Sequence, residues 1–304
     1  MSTAIDLSLL PAPTVVEALD FESILAERKT RLVSLHPVDE QVDIAARLAL
    51  ESDPLNKLLQ ENAYRELLLR QRINDAARAV MLAYAVGPDL DQLGARDDVE
   101  RLLVDPGDST AIPPRAPVYE DDTAFRRRIQ LSPEGYTTAG SQMSYVYHGL
   151  SADPDVADIE AVSPVPGVVT VYVLARSGDG SASEELLATV TAALNAEMVR
   201  PMTDQVGVQS ASIVTYAIVA ELVLYPGPDA AVVRAAALAA AEAYAAAQHA
   251  LRRDVTLSGL YAALHQPGVQ RVDLTAPAAN LVIGSGEASH CTGITLTVAG
   301  ATDV

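Results

Sequence analysis

The side chains able to do chemistry in this chain are few and far apart. Cys291 is the single cysteine, and His290 stands directly before it. A histidine beside a cysteine suggests a thiolate and its base, but neighbours on a strand point to opposite faces and cannot readily share a proton. His36, His148, His249 and His265 are scattered, without the i, i+4 spacing or cysteine partners of a zinc site. The acidic groups Asp97-Asp98, Asp121-Asp122 and Asp153 with Asp155 stand at turn or helix-start positions, where carboxylates serve exposed backbone N–H groups. None is placed as the paired acids of a glycosidase would be. Asp155 to Asp158 lacks the glycine and final glutamate of a calcium loop. Ser177-Gly-Asp-Gly180 and Gly284-Ser-Gly286 lack the lysine and spacing of a phosphate loop and read as turns. No catalytic, cofactor-binding or metal site is expected, so the chain reads as a non-enzyme.

Composition points the same way. The chain has 304 residues, enough for two or three domains, and 21 basic against 40 acidic residues give a net charge of −19. That charge would repel nucleic acid and acidic membrane surfaces, so neither is expected as a partner. The longest basic run, Arg126-Arg127-Arg128, lies beside Asp121 and Asp122 and reads as a solvated helix face. With one cysteine no intrachain disulfide can form, as in a reducing compartment. The first twenty residues lack the basic start of a signal peptide, and the apolar window from Ala230 to Ala250 is mostly alanine with Arg234 and Glu242 inside it. A soluble, cytoplasmic origin is expected.

The elements that would position these residues follow from periodicity and punctuation. Residues 1 to 15, with Pro11 and Pro13, read as an extended arm, and a first helix is expected from Val16 to Leu35. Asp53 as N-cap and Pro54 at the first helical position open a second helix expected to reach Ala85. Some thirty residues at ~1.5 Å each would span roughly 45 Å, more than a small domain needs. Its apolar residues make two stripes: Leu55, Leu59, Leu69, Ile73, Ala76, Val80 and Tyr84 on one side, expected to face the core, and Tyr64, Leu67, Leu68 and Leu82 broadly opposite. The helix is expected to be buried on two sides, either packed within its own domain or with the second stripe as the candidate partner interface, and Asn62 and Glu66, interrupting the first, are candidates for fixing helix register.

Prolines from Pro106 to Pro117 suggest a linker beginning at Gly94. The expected division is a helical domain over 1–118 and two small α/β domains over 119–212 and 213–304. The whole is an α+β protein whose two-layer domains carry mixed or antiparallel sheets. Tyr147 to Val162 and Tyr261 to Ala276 share a helix, a proline turn and a strand at similar offsets, which makes the two α/β domains related.

The wording of the chain also resembles a family. Leu90 to Leu102 (LDQLGARDDVERL), Phe125 to Pro164, Leu186 to Val208 and Ala263 to Leu274 look like the baseplate J-like wedge proteins of contractile-tailed phages and phage-tail-like particles, in order and over almost the entire chain. Arg96-Asp97-Asp98 and Arg252-Arg253 depart from that pattern. The resemblance implies a structural baseplate component that joins a second wedge protein through an N-terminal helical bundle. Its C-terminal domains would meet other copies of the chain in a ring around the central hub, with sheath-initiating and hub proteins as further partners, after assembly in the bacterial host cytoplasm. A tail hydrolase acting on the cell envelope and an unrelated soluble adaptor are the alternatives.

Overall fold

Asp53 accepts a hydrogen bond from the Leu55 N–H (2.8 Å) and Pro54 occupies the first helical position, so the longest helix begins where the sequence places it. The computed structural model describes residues 5–137, 139–227 and 229–299, and the chain forms two compact units, Met1–Glu100 and Arg101–Val304. Residues 1 to 4 of the expected arm and 300 to 304 of the last expected domain lie outside the described residues.

In the first unit, Leu7–Leu9 makes one 3-10 turn within the expected arm. Helix α1 is Phe21–Ser34, opened by Asp20, whose carboxylate accepts from the Ser23 N–H, five residues later than the periodicity suggested. Helix α2, Gln41–Leu48, was not expected, because eight residues are too few for a clear period. Helix α3 is Pro54–Ala79; it stops before Ala85 because the chain turns over residues 80–84. Helix α4 is Gly87–Arg96 and contains Gly94, where the linker was expected to start.

The proline-rich stretch of the second unit is no open linker. Strands β1 (Leu103–Asp105) and β2 (Val118–Tyr119) pair antiparallel, and Asp108 and Arg115 exchange backbone hydrogen bonds of 3.0 and 2.9 Å between them. Its two ends are therefore held together. Next come α5 (Asp122–Gly135), α6 (Gln142–Leu150), β3 (Val156–Val165), β4 (Val168–Ala175), α7 (Glu184–Leu194) and β5 (Gln205–Ser210). The sheet order is β3-β4-β5, antiparallel then parallel. One face packs Val156, Ile159, Val171 and Val173 against Tyr145, Leu150, Val190 and Leu194 of the helices. Each such side chain contributes about 1.5–3 kcal/mol by leaving water.

The last segment contains β6 (Ser212–Leu224), α8 (Ala230–Gln248), α9 (Leu257–Leu264), β7 (Val269–Ala276) and β8 (Glu287–Ala299), with sheet order β7-β6-β8. Here too the central strand has one antiparallel and one parallel neighbour. The expected repeat is present and permuted: α6 leads into β3 as α9 leads into β7, but the central strand follows that unit in one domain and precedes it in the other. Helix α8 has the length and apolar composition of a membrane-crossing helix. It packs Val233, Ala237 and Ala241 against its own sheet, and their small side chains let the helix approach closely.

Candidate functional site

The chemically capable residues do not converge. On β8, Cys291 packs with the core of the last domain, while the His290 ring lies edge-on to that of His249, 5.5 Å between centroids. That pair joins residues distant in sequence, so no local spacing announces it. His249 Nδ1 is 2.5 Å from the Ser289 carbonyl oxygen, which can only accept and so places the proton on Nδ1. Among the described residues no three His, Cys, Asp or Glu side chains form a group that could hold a metal.

Asp121, Asp153 and Asp155 serve backbone, as their positions suggested, whereas Asp97 and Asp122 accept from Arg96 and Arg101. Asp121 caps α5 through Thr123 and Ala124, Asp153 accepts from the Asp155 N–H, and Asp155 accepts from Ser177 N and Oγ. The stretches at 177–180 and 284–286 are turns, with Gly178, Gly180 and Gly286 at positive φ.

The basic run is a correction. Arg128 is not on a solvated face; it is buried and paired with Glu120, itself 7% exposed, and gives Ser151 Oγ a hydrogen bond of 3.2 Å. Arg127 donates to Asp158 at 2.6 Å. Glu120 also accepts from the Leu102 N–H at 3.0 Å, and Arg101 lies 4.6 Å from the centre of the Phe125 ring. These contacts fix both ends of the proline-rich hairpin to α5. They line a cleft of about 360 Å³ whose cations already have partners, so it offers no free charge to a ligand.

The surface of α3 differs from expectation in a more consequential way. The face packed against α1 carries Leu59, Ala63 and Leu67 around Ile24 and Leu25, together with buried Asn56 and Asn74. The asparagines are buried because they bind backbone. Asn74 exchanges two hydrogen bonds with the Glu17 main chain, 2.9 and 3.0 Å, and Asn56 donates to the Leu50 carbonyl at 3.0 Å. Glu66 acts as a register clamp, accepting from Arg28 of α1 and from Arg70, which hold its carboxyl below the usual range. The stripe expected in the core is mostly outside: Leu69 is 67% exposed, Ile73 62% and Val80 70%. Hydropathy misassigned it because three of the inward positions, Asn56, Ala63 and Asn74, are small or polar.

Of the four residues expected at a partner interface, Tyr64 and Leu68 are half exposed, Leu67 packs inward, and Leu82 lies beyond the helix in the turn. Tyr64 and Leu68 flank the exposed stripe of Leu58, Leu69, Ile73 and Val80, and together the six span about half of the helix circumference. Among the described residues, more than half of the large apolar side chains that are exposed lie before Glu100.

The two α/β domains, by contrast, are fastened to each other. Glu160 lies on the face of β3 that its helices do not cover, 6% exposed, and accepts from Arg252 Nη1 (3.1 Å), Ser285 Oγ (3.0 Å) and the Gly286 N–H (2.8 Å). Asp158 accepts from the Leu251 N–H at 3.1 Å. Gly286 is required at this approach, since a Cβ there would lie 2.6 Å from the Tyr172 ring. The seam also accounts for the unusual Arg252. Its φ of 59° favours glycine, but glycine would have no guanidinium to reach Glu160. A small apolar cluster of Leu174, Ala211 and Ala288 closes the seam.

A tandem of small sheets joined by a polar seam and a helical segment with an uncovered apolar face are features of a structural assembly protein. The comparisons make this specific. Residues 51–108 match the Baseplate J-like N-terminal domain, 137–210 the central domain and 216–297 the C-terminal domain. The chain is 59% identical over 288 residues to baseplate protein J of Escherichia phage P2, covering 95% of each chain. It belongs to the baseplate J-like family: it is a structural component of a phage tail baseplate, located there in the virion and associated with other baseplate components. An adaptor unrelated to phage tails is thereby set aside.

Proposed function

We propose that this chain is a wedge component of a contractile tail, joined to its neighbours in two ways. The N-terminal helices enter a bundle with a second wedge protein, and the C-terminal domains meet other copies around the central hub, where hub and sheath-initiating proteins attach. Assembly takes place in the host cytoplasm, and the particle is a phage or a tail-like particle. The division into a helical part ending near residue 118 and two α/β domains meeting near residue 212 belongs to this reading, supported by the two separate sheets.

The observation that carries it is the outward apolar stripe of α3, Leu58, Leu69, Ile73 and Val80 with Tyr64 and Leu68 at its flank. Such a stripe is expensive to leave in water along a helix of 26 residues, and helix bundles bury stripes of this kind against neighbouring helices. Co-expression with the other baseplate proteins tests it. Leu69→Asp with Ile73→Asp should abolish recovery of the wedge complex while the purified chain keeps its far-UV spectrum and melting temperature. Wild-type recovery of the complex by that variant contradicts the bundle.

A further inference from the structure

We propose that the outer edge of β8, Gly293–Ala299, pairs antiparallel with the same edge of a second copy, joining two three-stranded sheets into one of six. This rests on the reading that the C-terminal domains meet other copies, and it names the surface.

Strand β8 is terminal in its sheet, with β6 on one side only. Its two halves are treated differently. From Glu287 to Ser289 the outer side is covered: the Arg252 N–H donates to the Glu287 carbonyl, Leu251 bridges to Ala288, and His249 reaches Ser289. An irregularity in the pairing follows between Cys291 and Gly293, where Thr292 is skipped. Beyond it, Gly293–Ala299 pairs residue by residue with Ala217–Val223, and no strand lies on the other side among the described residues. Alternate N–H and C=O groups along this stretch are thus available for another strand.

Its composition lacks every usual guard against strand addition. The stretch GITLTVA has no charge and no proline. The opposite edge of the same sheet is guarded, since β7 carries Arg271 and Asp273, paired at 2.8 Å, and Pro277 follows it. In the central sheet, edge strand β3 has its Asp158 and Glu160 engaged in the domain seam.

Charge selects the occupant. At −19, two copies of this chain repel unless they meet where neither bears charge. A seven-residue uncharged strand meets that condition and is self-complementary about a two-fold axis. With the axis near Leu296, exposed Thr295 would face Thr297 of the other copy on one side of the sheet. On the other side, Ile294 and Val298 would extend the core that holds Leu296.

The test uses charge reversal at Thr295, an exposed residue whose neighbour on β6 is Val219. Self-association of the full chain is measured by sedimentation, with amide exchange over residues 293–299 followed at low and high concentration. Thr295→Glu and Thr295→Lys should each weaken the dimer about fivefold, the size of one cross-strand pair, and an equimolar mixture of the two should restore it. Alternate amides of the stretch should exchange more slowly as the wild-type dimer forms. A dimer insensitive to both charges and lost in Leu69→Asp would locate self-association in the helices and overturn the edge. A dimer sensitive to neither would overturn the edge while leaving copy-to-copy contact standing. A wild-type chain monomeric at its solubility limit would overturn the edge as a self-pairing surface.

Discussion

The helical segment and the α/β tandem solve opposite problems with the same kinds of residue. In the tandem, the buried charged groups are matched within the chain: Glu160 takes three donors from the adjoining domain and Arg128 is paired with Glu120. Its apolar side chains fill two cores. In the helical segment the buried polar groups, Asn56 and Asn74, hold the chain's own backbone on the inner face of α3, and the larger apolar side chains remain outside. One region fills its own interior, and the other leaves its larger apolar side chains in water.

Core truncation should separate them most widely. Leu222→Ala, removing a fully buried side chain from the last domain, should destabilise the tandem by about 2–5 kcal/mol. Leu69→Ala should stay within about 0.5 kcal/mol in the isolated chain, because the side chain is already in water there. Denaturant melts of the purified variants check both. A large loss in Leu69→Ala would mean that the outer stripe supports the isolated fold.

The seam gives a smaller effect. Glu160→Ala removes the acceptor for three donors, and with Arg252 partly exposed the loss should be about 2 kcal/mol, seen as lower protection of β3 and the 284–288 segment in hydrogen exchange. Arg252→Gly should lose less, since glycine relaxes the left-handed backbone while the ion pair is lost.

The smallest effect concerns pH, and the two regions should respond in different windows. Burial lowers the His148 pKa from 6.5, and its hydrogen bond to the Gly135 backbone only partly offsets this. The unfolded chain therefore binds the proton first, and the tandem loses stability as pH falls from about 6.5 to the lowered folded value. Glu66, held ionised mainly by Arg28 and then Arg70, stabilises the helical segment above 4.5, and that contribution is lost as pH falls through its lowered value. His148→Asn should remove the upper window alone, which thermal melts between pH 7 and 4 would detect.

Much of this was legible in the sequence, and the exceptions share a cause. The start of α3 at Asp53-Pro54 follows from capping chemistry, which acts locally. The relation between Tyr147–Val162 and Tyr261–Ala276 was visible too, but its permutation was not, because strand order is set by contacts far apart in sequence. The misread features depend on partners across the fold. Arg128 looks solvated until Glu120 is beside it, and Arg252 looks misplaced until Glu160 is found. Tyr64 and Leu68 are half exposed, whereas Leu67 packs inward, a difference that no pattern within α3 could show because α1 had to be positioned first.

The central claim is that the outer face of α3 is covered by a partner in the baseplate and is open in the isolated chain. Amide hydrogen exchange of the purified protein and of assembled baseplates tests this most directly. Peptides from Pro54–Ala79 should gain marked protection on assembly, while those from the inner strands β4 and β6 should change little. Equal protection of α3 in both states would contradict the account.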